Sequence, residues 1–351
     1  MGEIRSIPYN GFKAISTFSG CGGSSLGYRM AGFRVLWASE FIPAAAEVYR
    51  TNFPDTILDT RDIREVKPAE ILAEIGMKTG ELDLLDGSPP CASFSMSGSR
   101  QSAWGSVKSY SDTKQRTDDL FFEFSRVLDG LQPRVFIAEN VKGLTIGSAK
   151  GYFKEIKRAL ERCGYRVAAK VLDAARLGVP QHRSRLIFFG VRSDLEAEPI
   201  YPAPLPYTYS IRDAVPWLED ETTHPGPIDA ECFLKPGTKA HTLWHKCLPG
   251  ESGSKYADGS WFNFIKGHPD RPAQTVMATQ GAKGTASGGN HPFVCRKFTV
   301  AELRRLSSFP DDFTFSGDHV KDWERIGRAV PPLMMKAVAE KAAEVLRSCA
   351  E

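Results

Sequence analysis

Residues 12–31 read FKAISTFSGCGGSSLGYRMA, and this stretch decides the fold. Phe12–Phe18 is a short apolar run and Ser24–Ala31 opens a helix. Between them Gly20, Gly22 and Gly23 let the backbone turn sharply and approach a ligand closely. A strand that feeds a helix through a glycine turn is the first unit of a doubly wound sheet. The alternation continues outward. Phe33–Ala38, Leu82–Asp86, Arg134–Ala138, Val167–Leu172 and Arg185–Val191 read as strands. Ala44–Asn52 reads as a helix, and Tyr152–Cys163 as an amphipathic one with Phe153, Ile156 and Leu160 on one stripe. A long Ser-rich loop runs from Gly87 to about Thr117. It precedes a helix over Asp118–Leu128, with Asp118 and Asp119 suited to its positive end. The expected fold class is α/β, a doubly wound and mostly parallel sheet.

The texture changes after Arg192. From Glu198 to about His291 the chain is rich in Pro, Gly, Thr and aromatics, with weak periodicity. Helical pattern returns at Val300–Ser308, where Thr299 and Glu302 form a capping-box pair, and at Pro331–Arg347. The expected organisation is a catalytic and cofactor-binding domain over 1–193, a smaller irregular domain over 194–290, and a return to the first domain over 291–351. The net charge of +3 over 351 residues permits nucleic acid as a partner without demanding it. The seven cysteines are odd in number and form no C-x-x-C pair. That argues against a disulfide framework or a structural zinc site, and the expectation is no metal. Met1–Asn10 lacks the apolar core of a secretory signal, and no run approaches the roughly 20 apolar residues that span a membrane. A cytoplasmic monomer with reduced thiols is expected.

Five segments carry chemistry. Phe18–Gly23 lies at a strand-to-helix turn, and Glu40 ends the next strand about twenty residues past Gly20, where an acid binds ribose hydroxyls. Ser25 replaces the last glycine of G-x-G-x-x-G, so a mononucleoside is favoured over a dinucleotide. Asp62-Ile63 follows at a third strand end, suited to an adenine amino group and ring. A solvated turn is the default reading there. Asp86-Gly87-Ser88-Pro89-Pro90-Cys91 places a cysteine at the sheet's C-terminal edge on a proline-stiffened approach. That position suits a nucleophilic thiolate better than a core thiol. Arg134–Val141 ends an apolar strand in Glu139-Asn140, where the acid either stays protonated or holds a base's ring nitrogen and amino group, against the default of a surface charge. In Gln181–Arg185, alternation puts Arg183 and Arg185 on one side, within reach of one phosphate or base, unless they merely charge an exposed strand end.

In this order, FSGCGG, SPPC, AENV, QHRSR, RKFTVAELRRLSSFPDDF and RIGRAVPP resemble the bacterial- and phage-type DNA (cytosine-5)-methyltransferase family. The resemblance runs from about Phe12 to the end, apart from the middle region. It implies a Rossmann-like adenosylmethionine-dependent methyltransferase sheet with a target-recognition domain over 194–290. It also implies transfer of a methyl group from S-adenosyl-L-methionine to C5 of a cytosine flipped out of double-stranded DNA. Cys91 is then the nucleophile on C6, with Pro90 and Asn140 around it. Glu139 holds N3 and the exocyclic amine, and Arg185, helped by Arg183, holds O2. Phe18, Gly20, Cys21, Gly22, Gly23, Glu40, Phe41, Asp62, Ile63, Pro90, Leu120, Arg328, Ala329 and Val330 surround the cofactor. Lys235, Lys239, His241, His245, Lys246, Lys255, Lys266 and Arg271, among aromatics, suit a DNA groove.

Two positions depart from the family pattern. Ala92 stands where the family has Gln after the nucleophile. Arg328 replaces Asn in Gly327-Arg328-Ala329-Val330-Pro331-Pro332, beside the expected sulfonium. Two readings of Arg328 stay open. Either its guanidinium turns to a carboxylate, solvent or DNA phosphate, or it pairs with a carboxylate on the donor. The second donor would be carboxy-S-adenosyl-L-methionine, giving carboxymethyl transfer. RNA cytosine-C5 methylation, a non-catalytic DNA-binding role and nicotinamide chemistry are the rivals. A substantial middle domain favours DNA over RNA, and the retained Cys91, Glu139 and Arg185 favour catalysis. The missing third glycine disfavours nicotinamide. A cognate restriction endonuclease, phage protection and regulation all remain open as the setting.

Overall fold

The computed structural model describes residues 1–90, 108–110, 113–115, 119–259, 261–278 and 289–349. The chain divides into two compact units. The larger comprises Gly2–Leu172, Ser184–Ala203 and Met335–Glu351; the smaller comprises Met1, Asp173–Arg183 and Pro204–Met334.

The larger unit is built on a seven-stranded sheet. In chain order it runs α1 (Gly2–Ser6), β1 (Lys13–Thr17), α2 (Gly23–Met30), β2 (Arg34–Ser39), α3 (Pro43–Asn52), β3 (Ile57–Asp59), α4 (Pro68–Ile75) and β4 (Leu84–Gly87). A separate antiparallel pair follows, β5 (Lys108–Tyr110) and β6 (Thr113–Gln115). Then come α5 (Leu120–Leu131), β7 (Val135–Val141), α6 (Lys150–Arg162), β8 (Tyr165–Asp173) and β9 (Ser184–Arg192). The sheet order is β3-β2-β1-β4-β7-β9-β8. The pairs from β3 through β7 are parallel, and β7 with β9 is antiparallel. The order reverses direction at β1 and β4, and in such sheets the C-terminal strand ends beside that point receive ligands.

Local sequence explains the central elements. Val135–Ala138 is wholly apolar and wholly buried, as a strand covered on both faces must be. In α5 Leu120, Phe121, Phe124, Val127, Leu128 and Leu131 recur at helical spacing and are all buried. Phe124 meets Phe136 edge-on at 6.0 Å and Phe121 meets Phe188 at 5.5 Å, so α5 is locked onto β7 and β9. Each fully buried ring contributes roughly 1.5–3 kcal/mol by leaving water. α11 (Pro332–Ser348) buries Val338, Ala339, Ala342 and Leu346, and its Leu346 carbonyl accepts from Arg134 at 3.2 Å.

The smaller unit holds α7 (Ile211–Ala214), α8 (Lys239–Lys246), α9 (Val300–Leu306) and α10 (His319–Arg328), joined by 3-10 turns and irregular chain. One cluster gathers Ile211, Trp217, Phe298, Leu303 and Trp323; another gathers Leu234, Leu243, Trp244 and Phe264. The expected capping box is present: Thr299 Oγ1 accepts from Glu302 N, and Glu302 returns to Thr299 N at 2.8 Å. Glu302 also receives Arg296 through both terminal nitrogens at 2.8 and 2.7 Å, with neither residue exposed. Burial and the Arg296 charge push the neighbouring His291 down to about 2, so it stays neutral.

The alternating plan read from sequence matches this sheet, with boundaries moved by one to three residues. Among the described residues α1, α4, β5, β6, α7, α8 and α10 escaped that reading, and β3 was marked only by its expected end near Asp62. α4 carries its own signals, Pro68 in its first turn and a left-handed Gly76 at its end (φ 65°), but its apolar stripe is short. The expected functional division at 193 and 290 remains a proposal; the smaller packing unit also takes in 173–183 and 291–334. Among the described residues, no helix is long and apolar enough to cross a membrane.

Gly190 of β9 lies directly opposite Phe136 of β7, and a Cβ there would fall inside the Phe136 ring. Gly190→Ala is therefore expected to lower stability by about 1–3 kcal/mol or more. Urea unfolding monitored by circular dichroism checks it, and an unchanged midpoint would show that β7 and β9 can separate at no cost.

Candidate active site

The glycine turn between β1 and α2 is held in an unusual shape. Phe18 takes φ 53°, rare for a residue with a side chain, and Gly22 takes φ 96° with its hydrogen packed on the Phe53 ring. Only glycine fits at position 22. Glu40, at the C-terminal end of β2 and 7% exposed, pins the turn: its two oxygens accept from Gly20 N and Ile42 N, each at 2.7 Å. An ionised carboxylate has about four lone-pair sites, so it can still accept from a ligand hydroxyl. Beyond Gly20 the space is open, since a Cβ there would meet nothing within 4 Å. Next to Glu40, Phe41 leaves its ring 39% exposed. A carboxylate, an exposed aromatic face and open space beside a glycine backbone fit a nucleoside with its ribose on Glu40.

The other expected cofactor residues differ in character. Cys21 is buried behind the turn, and Ile63 and Leu120 are part of the hydrophobic core. Asp62 sits three residues past β3 and is bound by Arg64 at 2.9 Å. Arg64 also grips Asp119 at 2.7 Å, just ahead of Leu120. Asp119 thus serves an ion pair rather than capping α5 with its side chain.

The second cluster surrounds the end of β4. Asp86, 1% exposed, accepts from Ser16 Oγ at 2.8 Å and Tyr28 OH at 3.1 Å. Burial pushes its carboxyl up to about 7, and the nearby Glu139 charge adds to the rise. The register sets Asp86 beside Ile137, which puts it on the same sheet face as Glu139. A buried acid inside the apolar run Leu82–Gly87 was the sequence signal for this residue, and the reading did not use it as one. Next, Ser88 N donates to Thr17 O at 3.3 Å, and Asn140 Nδ2 donates to Pro89 O at 3.2 Å. The approach to position 91 is therefore tied to both neighbouring strands. Cys91 itself, and the loop after it up to Thr117 apart from β5 and β6, lie outside the described residues.

The third cluster is an ion pair. Glu139 Oε1 and Arg185 Nε are 2.7 Å apart, with only 11% and 14% of the side chains exposed. β7 and β9 pair Val141 with Arg185, so Glu139 and Arg185 are diagonal neighbours on one face. Burial lowers the Arg185 guanidinium, and the adjacent carboxylate works against that drop.

Arg183, expected to help Arg185, is held by backbone carbonyls. It lies in the smaller unit, 2% exposed, and donates to Val276 O at 2.9 Å and Gly327 O at 2.7 Å. Its guanidinium ties these two backbone segments together. Arg328, at the end of α10, pairs with Glu324 at 2.8 Å, and Ala329 and Val330 beside it are buried. Lys266, expected in a DNA groove, is buried with its ammonium 3.6 Å from the Trp244 ring centre. Gln181, whose amide binds Leu306 O, Ser307 Oγ and Val276 N, went unassigned as a buried staple.

Comparison with known proteins places these clusters in context. The family model described as C-5 cytosine-specific DNA methylase matches residues 12–344. The chain is similar to the Type II methyltransferase M1.HphI of Haemophilus parahaemolyticus, at 33% identity over 93% of this chain and 85% of the relative. It is also similar to the Type II methyltransferase M.NgoFVII of Neisseria gonorrhoeae, at 31% over 95% and 86%. Among solved structures, a DNA modification methyltransferase encoded within an E. coli prophage shares the fold with a TM-score of 0.70. That likeness covers 97% of this chain and 99% of the other at 22% identity. The Dnmt2 methyltransferase of S. pombe shares it at 0.64, over 97% and 100% at 17% identity.

Asp86 gives the first prediction of this site. The folded carboxyl titrates near 7 and an unfolded aspartate near 3.9, so the native state holds the proton more tightly. Its stabilising contribution is full below about pH 4, falls as pH rises and levels off above about pH 7. Unfolding free energies at several pH values should show wild type losing ground to Asp86→Asn across that window. A pH-independent difference would sink the assignment. For the ion pair, Arg185→Ala removes the guanidinium from a buried carboxylate and is expected to cost about 3–5 kcal/mol in denaturant unfolding. A loss under about 1 kcal/mol would mean the pair behaves as a solvated surface bridge.

Proposed function

This chain belongs to the C-5 cytosine-specific DNA methylase family, and from that membership we propose that Cys91 is its nucleophile, with Glu139 and Arg185 holding the target base. The enzyme is a DNA (cytosine-5)-methyltransferase that depends on S-adenosyl-L-methionine. Double-stranded DNA buries the atoms at issue, so the cytosine leaves the stack before reaction.

The observation that carries the assignment is the buried Glu139–Arg185 pair on the strands beside the Ser88-Pro89-Pro90 approach. Cytosine presents N3 and an exocyclic amine on one edge and O2 next to them. A carboxyl and a guanidinium 2.7 Å apart match that edge in spacing and polarity. The Cys91 thiolate adds to C6, forming an S–C6 bond while the C5=C6 electron pair moves to C5. Glu139 accepts from the exocyclic amine and, once it has taken up a proton, donates it to N3, so the charge that develops on the ring is spread and stabilised. Arg185 fixes O2 and holds Glu139 in place. Asn140, through Pro89 O, ties the backbone that leads to Pro90 to the strand that carries Glu139. S-adenosyl-L-methionine would supply an electrophilic methyl group for C5 and leave as S-adenosylhomocysteine. Transfer of the C5 proton to a water or solvent base lets the C–H electron pair re-form C5=C6 and expels the Cys91 thiolate, which restores the aromatic ring.

Glu40 holds the cofactor's ribose, Phe41 its purine face, and the Phe18–Gly23 turn its amino-acid end. Asp62, oriented by Arg64, takes the adenine amino group. The Arg328–Glu324 pair favours the ordinary methyl donor over a carboxylated one, because the guanidinium already has a carboxylate partner. The irregular segment 194–290 serves as the target-recognition region; Lys235, Lys239, Lys246 and Arg271 are exposed there and suited to DNA phosphates. Relatives named as Type II methyltransferases support a restriction–modification setting, with a companion endonuclease, in a cytoplasm.

Mass spectrometry of nucleosides from mixed-sequence duplex DNA incubated with enzyme and S-adenosyl-L-methionine tests the assignment. Methylcytidine should form with wild type and vanish with Cys91→Ala, while Arg328→Asn should still make it. Methylcytidine persisting in the Cys91→Ala reaction would overturn the nucleophile. Carboxymethylcytidine formed from a carboxylated donor, and lost in Arg328→Asn, would overturn the donor.

A further inference from the structure

Helix α8 carries His241 and His245 one turn apart, on one face, with ring centres 4.7 Å apart. Cys295 reaches them from a distant segment, and the donor atoms of all three lie within 4.8 Å of one another. We propose that His241, His245 and Cys295 bind a divalent cation of the zinc type, leaving a fourth position open to solvent. The proposal revises the expectation of no metal, which rested on cysteine spacing alone.

Four features support the site. The ligand chemistry is a thiolate with two imidazoles, a set that suits zinc and disfavours hard cations such as magnesium or calcium. No imidazole nitrogen of His241 or His245, nor the Cys295 sulfur, makes a hydrogen bond or ion pair among the described residues, so their lone pairs are available. Both ligand-bearing segments are fixed independently of any metal: Trp244 Nε1 donates to His291 O at 2.9 Å, and Leu234 N donates to Cys295 O at 3.2 Å. Finally, His245 lies in the last turn of α8, where the helix dipole favours a cation.

The geometry asks for a modest contraction. Zinc bonds of about 2.0–2.3 Å put tetrahedral donors about 3.3–3.8 Å apart, within reach of χ rotations from the present spacing. Burial raises the Cys295 thiol, and the Lys266 ammonium pulls it back toward the thiolate that a metal requires. The same ammonium opposes a dication and so limits the affinity. Among its described residues, the segment from Pro204 to Thr299 has the short helices α7 and α8, and the small cluster of Leu234, Leu243, Trp244 and Phe264 packs against α8. A cation joining α8 to the chain at Cys295 would fasten that cluster across more than fifty residues of sequence.

The test uses the full-length protein without a histidine tag. After incubation with zinc and exhaustive dialysis, elemental analysis should find about one zinc per chain. Cobalt(II) alone should give the thiolate charge-transfer band and the strong visible bands of four-coordinate geometry. Cys295→Ser should abolish the charge-transfer band, and His241→Gln or Cys295→Ser should weaken zinc by roughly 100-fold or more. Circular dichroism and S-adenosylhomocysteine binding establish that each variant is folded; a variant that fails either is replaced by His245→Gln, which is exposed. Zinc contents equal in wild type and folded variants, or a cobalt spectrum lacking the charge-transfer band, would overturn the proposal.

Discussion

The pairing of β7 with β9 is the constraint on which the rest of the larger unit depends. Val135–Ala138 lie in the middle of the sheet with no exposure, so β7 cannot shift without taking its phenylalanine contacts out of register. The strand then changes character within one residue, from Ala138 to Glu139. Because the antiparallel register sets Val141 against Arg185, the guanidinium arrives diagonal to the carboxylate. A charged pair at the end of a fully apolar strand is costly to desolvate. Its position is secured by the hydrophobic packing behind it rather than by its own Coulomb energy.

The same economy recurs around the glycine turn and the end of β4. Glu40 binds two backbone amides, Asp86 two hydroxyls, and Asn140 a proline carbonyl. Glu40 and Asn140 fix loop backbone at the C-terminal edge of the sheet, where strand hydrogen bonding has ended and orphan groups need partners, while Asp86 ties Ser16 of β1 to Tyr28 of α2. The Asp86 and Glu139 carboxyls sit on one face, close enough for the Glu139 charge to raise the Asp86 carboxyl. A site of this kind holds its polar groups preorganised before substrate enters, which is the physical basis of electrostatic catalysis. In the smaller unit the buried Arg296–Glu302 pair plays the structural counterpart, stapling a capped helix to irregular chain.

Legibility followed the period of the sequence. The strands and helices of the sheet announce themselves through apolar runs and 3.6-residue stripes, and the glycine turn marks their order. Glu139 was legible because an acid directly after VFIA has no reason to be there as mere surface. α4 and α10 were not, since short stripes look like loop when the core they face is unknown. The carbonyl partners of Arg183 were not legible for a different reason. Alternation predicts direction along an extended segment, but the chain between Gln181 and Ser184 passes from one packing unit to another. The buried carbonyls of Val276 and Gly327 captured the guanidinium. Lys266 shows the same limit: a lysine in a basic, aromatic region reads as a DNA contact until packing turns it onto Trp244.

The sequence by itself determined the sheet class, the order of the chemical segments, and the family to which they belong. Those depend on residue types at short range: glycine where the backbone must turn, proline ahead of a cysteine, acids at strand ends. Tertiary structure alone decided partners. That Arg185 meets Glu139 and that two histidines of α8 meet Cys295 follow from register and helix docking, which bring together side chains about fifty positions apart. Side-chain chemistry is written locally, but the low-dielectric contacts that set charge and geometry exist only after the core has closed around them.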